Sequence, residues 1–202
     1  MAQAKDTTVL YEPDEIINVV EAMLYAADTP RSSADLLQVI EKIIPGGGEK
    51  SGKSGGAWDT AAVEKACGTL GDRLDRDGSA LQVLEVAGGF RLATRPRFDH
   101  CIRTMRQVQR PSQLSLQALE TLAVVAYRQP VTTAEIAVVR GVDPSGSLRT
   151  LREQGLVRIM GRKRAVGRPF TFGTTRQFLE VFGLRDIEEL PSPDEFEELL
   201  EG

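Results

Sequence analysis

The sequence predicts an α+β protein, mainly helical, that consists of two tandem copies of one unit joined by a helical linker. The first observation is the element order, because residues 13–95 and residues 112–184 both read helix, helix, helix, β-hairpin. The second is an internal repeat. "AADTPRSSADLL" lies one hundred positions before "AYRQPVTTAEIA", with a proline, a hydroxyl residue and a carboxylate at matching positions.

In the first unit, apolar residues at helical spacing predict three helices, in "EPDEIINVVEAMLYAAD", "SSADLLQVIEKII" and "TAAVEKACGTLGDRLDRDG". The second helix begins at a Ser32/Ser33 cap and stops at Pro45. "ALQVLEVA" and "FRLAT" are the two strands of the hairpin, with Gly88-Gly89 at the turn. Residues 1–12 are expected to be disordered, and residues 45–57 form a Gly-rich insert.

In the second unit, the helices are "LSLQALETLAVVAY" capped by Ser115, "TTAEIAVVRG" capped by Thr132 or Thr133, and "DPSGSLRTLREQG" starting at Asp143. "LVRIMGR" and "PFTFGTT" are the strands, joined by the loop "KRAVGR". Three helices with a helix-turn-helix centre and a terminal β-ribbon make a winged helix. The sequence therefore predicts two tandem winged-helix domains, a linker helix over residues 96–111 and an acidic tail over residues 185–202.

Composition favours a cytoplasmic globular protein without metal or cofactor. Hydrophobic residues make up 41% and charged residues 27%, and no apolar run reaches the length of a membrane span. The opening residues turn acidic at once, unlike a signal segment. Cys67 and Cys101 are interpreted as small core residues, and His100 is the only histidine. Because zinc-ligand spacings and nucleophile motifs are missing, an enzyme is the class least expected.

One nucleotide-binding pattern needs separate treatment. "GGEKSGKS", residues 47–54, fits the Walker A pattern G-x-x-x-x-G-K-[ST] at every fixed position. That site requires a strand before the loop and a helix directly after it, so that backbone N–H groups converge on the phosphates. Here a helix precedes the loop, and the next helix begins only around residues 58–60. The stretch is therefore interpreted as a flexible linker.

Charge is distributed unevenly along the chain. Residues 1–90 carry a net charge of −7, residues 91–176 of +11 and residues 177–202 of −8. A basic middle between acidic ends suits nucleic acid, an acidic partner protein or attraction between segments of the chain. Arg162, Lys163 and Arg164 in the loop of the second hairpin are candidate contacts to DNA phosphates, in weak and non-specific binding. A solvated loop or a dock for acidic segments are the alternatives.

Two long stretches resemble a known family. "LETLAVVAYRQPVTTAEIAVVRGV" and "LRTLREQGLVRIMGRKRAVGRPFTFGTTRQFLEVFGL" resemble the segregation and condensation protein B (ScpB) family, and "EAMLYAADTP" and "GGFRLATRP" extend the likeness to the first unit. The resemblance covers about residues 13–191. The insert at 45–57 and the end of the chain depart from the family pattern.

The resemblance implies a non-catalytic accessory subunit for chromosome condensation and segregation at the nucleoid. It implies a homodimer, formed mainly through the first domain, that binds the kleisin ScpA, which bridges the heads of an SMC ATPase. In the family the second domain binds the kleisin, which carries over to residues 112–184. The kleisin contacts expected here are Tyr127, Arg128, Gln129, Arg149, Arg152 and Arg168.

Several alternatives stay open at this point. Tyr127 can cap the core, Arg128 can be solvated, and Arg168 can orient the turn before Pro169. For the dimer contact we expect the apolar face with Ile16, Val20 and Leu24, which alternatively serves only the core of the unit itself. The acidic tail, with Phe196, Leu199 and Leu200 at amphipathic spacing, can dock on a groove, stay solvated or cover the basic loop. The alternative function is a winged-helix DNA-binding transcriptional regulator.

Overall fold

The computed structural model describes residues 11–12, 15–44, 58–106 and 114–192, which fall into two units, Met1–Gln107 and Val108–Gly202. The predicted fold class, mainly helical α+β with a winged-helix order of elements in each unit, is confirmed. The Walker-like stretch, the insert at 45–57, the N-terminal residues before Tyr11 and the tail after Ser192 lie outside the described residues. Within the described part of the chain, no helix is both long and apolar enough to cross a membrane.

Three helices and one hairpin form the first unit. They are α1 (Ile16–Ala26), α2 (Ser33–Ile43), α3 (Thr60–Arg76), β1 (Leu81–Val86) and β2 (Gly89–Thr94), and the two strands are antiparallel. One face of each helix is buried in a single core, because its apolar residues recur at helical spacing. Fully or nearly fully buried members of this core are Val20, Leu24, Leu36, Ile40, Val63, Cys67 and Leu70.

The predicted linker, residues 96–111, is described only as far as Arg106, and one of its residues, Cys101, is not buried as we expected. A 3₁₀ turn, Pro96–Phe98, leads into α4, Asp99–Arg106. Cys101 on α4 is exposed, so the interpretation of Cys101 as a core residue is wrong. Cys67 is buried as predicted, and burial raises the pKa of its thiol to about 11.

The second unit repeats the order and adds two elements. It contains α5 (Leu116–Arg128), β3 (Val131–Thr132), α6 (Thr133–Arg140), α7 (Ser145–Glu153), β4 (Val157–Arg162), β5 (Phe170–Thr174) and α8 (Arg176–Phe182). The sheet has the order β3-β5-β4, with both pairs antiparallel. α7 buries Leu148 and Leu151 and exposes Arg149 and Arg152.

The repeat seen in the sequence corresponds to the same local structure in both units. Ser32 caps α2 and Thr132 caps α6, and in both cases the carboxylate three residues later bonds back to the cap in a capping box. The residue before each cap pairs with the second strand of the hairpin: Arg31 bridges Phe90, and Val131 lies opposite Phe172. Equivalent chemistry one hundred residues apart therefore builds equivalent turns.

Packing of the second unit continues beyond residue 184. α8 begins at the Thr175 cap and ends at Gly183, whose φ of 70° suits a glycine. Beyond it, Ile187 and Leu190 pack on the core of the unit. The predicted domain boundary at 184 is therefore too early, because residues 185–190 belong to the packed unit.

Candidate partner-binding surfaces

An apolar groove lies on the second unit between α5, α8 and the segment that follows α8. We call it the α5–α8 groove. Its volume is about 310 Å³, and its walls are almost entirely apolar. The lining residues are Leu119, Leu122, Ala123, Ala126, Tyr127, Phe178, Phe182, Leu184, Leu190 and Pro191.

Large side chains at the rim of this groove remain open to solvent. Leu119 is 43% exposed, Tyr127 44% and Phe182 47%, and Leu116, one turn before Leu119, is 72% exposed. On α5, the positions of Leu116, Leu119, Ala123 and Tyr127 repeat at helical spacing, which places them in one stripe along the groove. A contiguous apolar rim around a concave site is typical of a binding surface.

Tyr127, a predicted contact residue, closes one end of the groove. Its hydroxyl donates a hydrogen bond to the carbonyl oxygen of Pro191 at 2.7 Å. At the α8 wall, the rings of Phe178 and Phe182 pack with centroids 4.7 Å apart. Aromatic side chains therefore line the groove on both the α5 wall and the α8 wall.

The two residues after Tyr127 have different environments. Arg128 is exposed, and its guanidinium forms no ion pair or hydrogen bond with the described residues. The Gln129 side-chain oxygen accepts hydrogen bonds from the backbone N–H (2.7 Å) and hydroxyl (3.1 Å) of Thr174, next to the cis peptide bond before Pro130. Gln129 therefore positions β5 against the end of α5, and Arg128 is the residue open to a partner.

A second cleft, of about 450 Å³, lies between α7 and β4. It is lined by Arg149, Arg152 and Arg158 together with Glu153, and it shares no lining residue with the α5–α8 groove. The Arg149 Nε donates to Glu153 Oε1 at 2.8 Å, so the charge of Arg149 is partly compensated. The predicted contacts Arg149 and Arg152 thus lie together here, apart from Tyr127.

The four remaining predicted cations are Arg162 at the end of β4 and Lys163, Arg164 and Arg168 in the loop between β4 and β5, which we call the wing. The guanidinium of Arg162 lies 4.0 Å from the Phe170 ring centroid and donates to the carbonyl of Arg168 at 3.0 Å. Lys163 forms an ion pair with Glu135 on α6. Arg168 has φ 42°, so its backbone shapes the turn before Pro169, and its side chain is exposed like that of Arg164.

The predicted dimer contact is not on the surface of the first unit. Val20 is fully buried and Leu24 is 2% exposed, because both belong to the core that α1 forms with α2 and α3. Ile16 is half-buried against the same core. The prediction of Val20 and Leu24 as dimer contacts is therefore wrong. On α1, Ala22 and Tyr25 are exposed instead, and Tyr25 is 80% exposed.

The ion pair between Glu135 and Lys163 ties the start of α6 to the wing. Glu135 also accepts hydrogen bonds from the Thr132 backbone N–H (2.9 Å) and hydroxyl (2.8 Å). Lys163, and after it these hydrogen bonds, lower the pKa of Glu135 from its ordinary 4.5 to about 2. The carboxylate thus stays ionised well below neutral pH.

Replacing Glu135 with glutamine is expected to lower the free energy of unfolding at pH 7, and to lower it less at pH 3. Because folding depresses the pKa, the carboxylate contributes fully above the unfolded-state value near 4.5 and loses its contribution as the pH falls through about 2. Urea denaturation at the two pH values measures the difference. Glu41→Gln, an exposed position on α2, is the control, and an equal effect of E135Q at both pH values would contradict the assignment.

Sequence reasoning missed most of the α5–α8 groove. The sequence predicted no helix at Phe182, and it assigned Leu190 and Pro191 to the acidic tail. The sequence did contain one signal, because α5 carries more apolar residues than its buried face needs. Leu116, Leu119 and Ala123 are apolar although they lie outside that face. A second apolar edge on a helix that already has a core face indicates a further contact.

The fold and these surfaces define a tandem winged-helix protein with an apolar groove and a basic cleft on its second unit. The chain belongs to the family described as segregation and condensation complex subunit ScpB, whose family model matches residues 18–193.

Named relatives agree with the family match. The chain is 38% identical over 185 residues to Segregation and condensation protein B of Syntrophotalea carbinolica, which covers 92% of this chain and 85% of the relative. Among solved structures, ScpB from Mycobacterium tuberculosis is 34% identical, covering 85% of this chain and 96% of that chain, with a TM-score of 0.37. A dimer of a ScpB N-terminal domain complexed with a ScpA peptide is 20% identical, covering 47% of this chain and 92% of that chain, with a TM-score of 0.35.

Proposed function

We propose that this chain is a non-catalytic subunit of a chromosome segregation and condensation complex that binds an ScpA-type kleisin. The observation that carries the proposal is the α5–α8 groove with its exposed rim, in a chain of the ScpB family. The kleisin then connects the chain to an SMC ATPase, so that the ATP chemistry belongs to that partner. This function places the protein in the cytoplasm at the nucleoid.

The groove suits a helical segment of a partner protein. A volume of about 310 Å³ accommodates two or three apolar side chains of an amphipathic helix laid along α5. Leu119 and Phe182 stand on opposite walls as apolar anchors, and the exposed Arg128 lies just beyond Tyr127 for an acidic residue of the partner. Arg149, Arg152 and Arg168 line none of this groove, and their contact with a kleisin stays a prediction.

Dimerisation through the first unit is the second part of the proposal. Since Val20 and Leu24 are buried in the core, we assign the dimer contact to the opposite face of α1, with Ala22 and Tyr25. A shallow cleft beside Tyr25, lined also by Leu81 and Leu92 of the hairpin, offers apolar surface for a second copy. A winged helix of fewer than about 100 residues has a small core, and a dimer contact supplements it.

Substituting Leu119 with glutamate is expected to weaken kleisin binding at least about 30-fold, because a charge then stands in the apolar groove. Isothermal titration calorimetry with the ScpA-type kleisin from the same genome measures the affinity. Leu84→Glu is the matched control, since Leu84 on β1 has a similar exposure (38% against 43%) and lies outside the groove.

The outcomes separate the function from the site. If the unsubstituted chain fails to bind the kleisin, the proposed function is wrong. If it binds and L119E binds equally well, or L84E weakens binding as much as L119E, the kleisin-binding function stands and the assignment to the groove is wrong. Circular dichroism of both variants checks that they are folded.

A further inference from the structure

We infer that the basic cleft and the wing of the second unit bind the phosphate backbone of duplex DNA without sequence preference. The surface consists of α7, β4 and the wing loop, and we call it the basic face. Its cations are Arg149, Arg152, Arg158, Arg162, Lys163, Arg164 and Arg168. It shares no lining residue with the α5–α8 groove, and the inference assigns Arg149, Arg152 and Arg168 to DNA in place of the kleisin contact predicted for them.

On the helical side of this face, two arginines are available to an anion. Arg152 on α7 is exposed and forms no ion pair with the described residues. Arg158 across the cleft uses only its Nε, which donates to the carbonyl of Thr174 at 3.3 Å, so its terminal nitrogens are left for another acceptor. Arg149 is partly neutralised by Glu153 and contributes less. A phosphate in the cleft would lie between two uncompensated guanidinium groups.

On the wing, two of the four cations already have partners within the protein and are not available to DNA. Arg162 stacks on Phe170 and holds the loop backbone, and Lys163 is paired with Glu135. These two predicted phosphate contacts therefore serve mainly to shape the wing. Arg164 and Arg168 are exposed, and within the described part of the chain their guanidinium groups have no partner. We therefore assign the phosphate contacts of the wing to Arg164 and Arg168 instead of Arg162 and Lys163.

The tip of the wing has the composition of a groove-reading loop. Val166 is fully exposed (104% on the relative scale), and it is followed by Gly167 at φ 80°. Arg164 and Arg168 flank this apolar tip on either side. The negative potential of a narrow minor groove attracts arginine side chains, so Arg164 and Arg168 can approach the duplex at the phosphates that border this groove.

The basic face fits nucleic acid better than a protein partner. Glu153 on α7 and Glu135, which reaches the wing from α6, are both already paired with cations of this face, which leaves a net positive surface. The apolar surface that a protein helix requires is on the α5–α8 groove instead. No Asn or Gln occurs in α7, Ser145–Glu153, so the side chains that read adenine are missing from the helix, and its two arginines are assigned to phosphates, so that binding is expected to show little sequence preference.

Fluorescence anisotropy with a labelled 30-base-pair duplex, titrated with the full chain between about 50 and 200 mM KCl, tests the inference. The double variant Arg152→Glu with Arg164→Glu is expected to weaken binding at least about 10-fold at the lowest salt. The slope of log affinity against log salt should become shallower by about 1 to 2. Lys42→Glu with Lys65→Glu, exposed on the first unit, makes the same change in net charge as a control.

Three results would overturn the inference. The first is no binding of the duplex by the unsubstituted chain at the lowest salt. The second is an equal loss in the control variant, which would assign the effect to net charge alone. The third is a loss of kleisin binding in R152E/R164E with duplex binding unchanged, which would assign the basic face to an acidic protein segment.

Discussion

Replacing Gly89 with alanine is expected to lower the free energy of unfolding of the first unit by about 3 kcal/mol, the upper range for forcing extra atoms into a packed site. A Cβ at this position would lie 2.7 Å from both the carbonyl carbon and the carbonyl oxygen of Arg31. These are backbone atoms, and Arg31 is fixed by hydrogen bonds to Phe90 of 2.9 and 2.8 Å. Relief therefore requires breaking the bridge that joins the turn before α2 to the hairpin.

Gly68→Ala is the matched control, because it adds the same methyl group with the opposite expected sign. Gly68 lies on α3, where a Cβ would meet nothing within 4 Å, and alanine in a helix is favoured over glycine by about 0.5–1 kcal/mol. Trp58, the only tryptophan, packs against the core of the first unit and reports its unfolding by fluorescence in urea. Equal effects of the two substitutions would contradict the close approach of the backbone at Gly89.

Replacing Arg140 with alanine is expected to destabilise the second unit by about 2 kcal/mol, because a largely buried charge loses several hydrogen bonds at once. The side chain is only 10% exposed. Its guanidinium donates to the carbonyl of Gln117 at 2.8 Å, to the hydroxyl of Thr121 and to Glu120 at 2.5 Å. These bonds join the last turn of α6 to the first half of α5, the helix that forms one wall of the groove.

Thermal unfolding followed by circular dichroism measures this effect, and a decrease of about 10 °C in the midpoint corresponds to 2 kcal/mol in a unit of this size. Arg128→Ala is the control, since Arg128 is on the exposed end of α5 and bonds to none of the described residues. A variant R140A as stable as R128A would show that the network does not hold α6 to α5.

Local chemistry made most of the fold predictable from the sequence. The caps predicted at Ser32/Ser33 and at Thr132 or Thr133, each followed by a carboxylate, located the start of α2 and α6 to within one residue, and the structure places the caps at Ser32 and Thr132. The helical spacing of apolar residues likewise predicted three helices in each unit. Each of these signals lies within one turn of chain, which is why they could be interpreted without a structure.

The site was harder to predict because its determinants are distant in sequence. The pair of Lys163 with Glu135 spans 28 residues, and no local pattern indicates that a wing cation is already occupied. Likewise, helical spacing marks Val20 and Leu24 as one apolar face, but it does not distinguish the unit's own core from a dimer contact. The α5–α8 groove includes residues up to Pro191, and their contact with α5 is a tertiary contact that no local pattern in the sequence indicates.

The most direct test of the central claim is the mass of the complex, measured by light scattering on a sizing column with and without the ScpA-type kleisin. The account predicts about 44 kDa for the chain alone, twice its 22.1 kDa, and a shift to two copies plus one kleisin on mixing. If the mass measured for the chain alone does not increase when the kleisin is added, the account is contradicted.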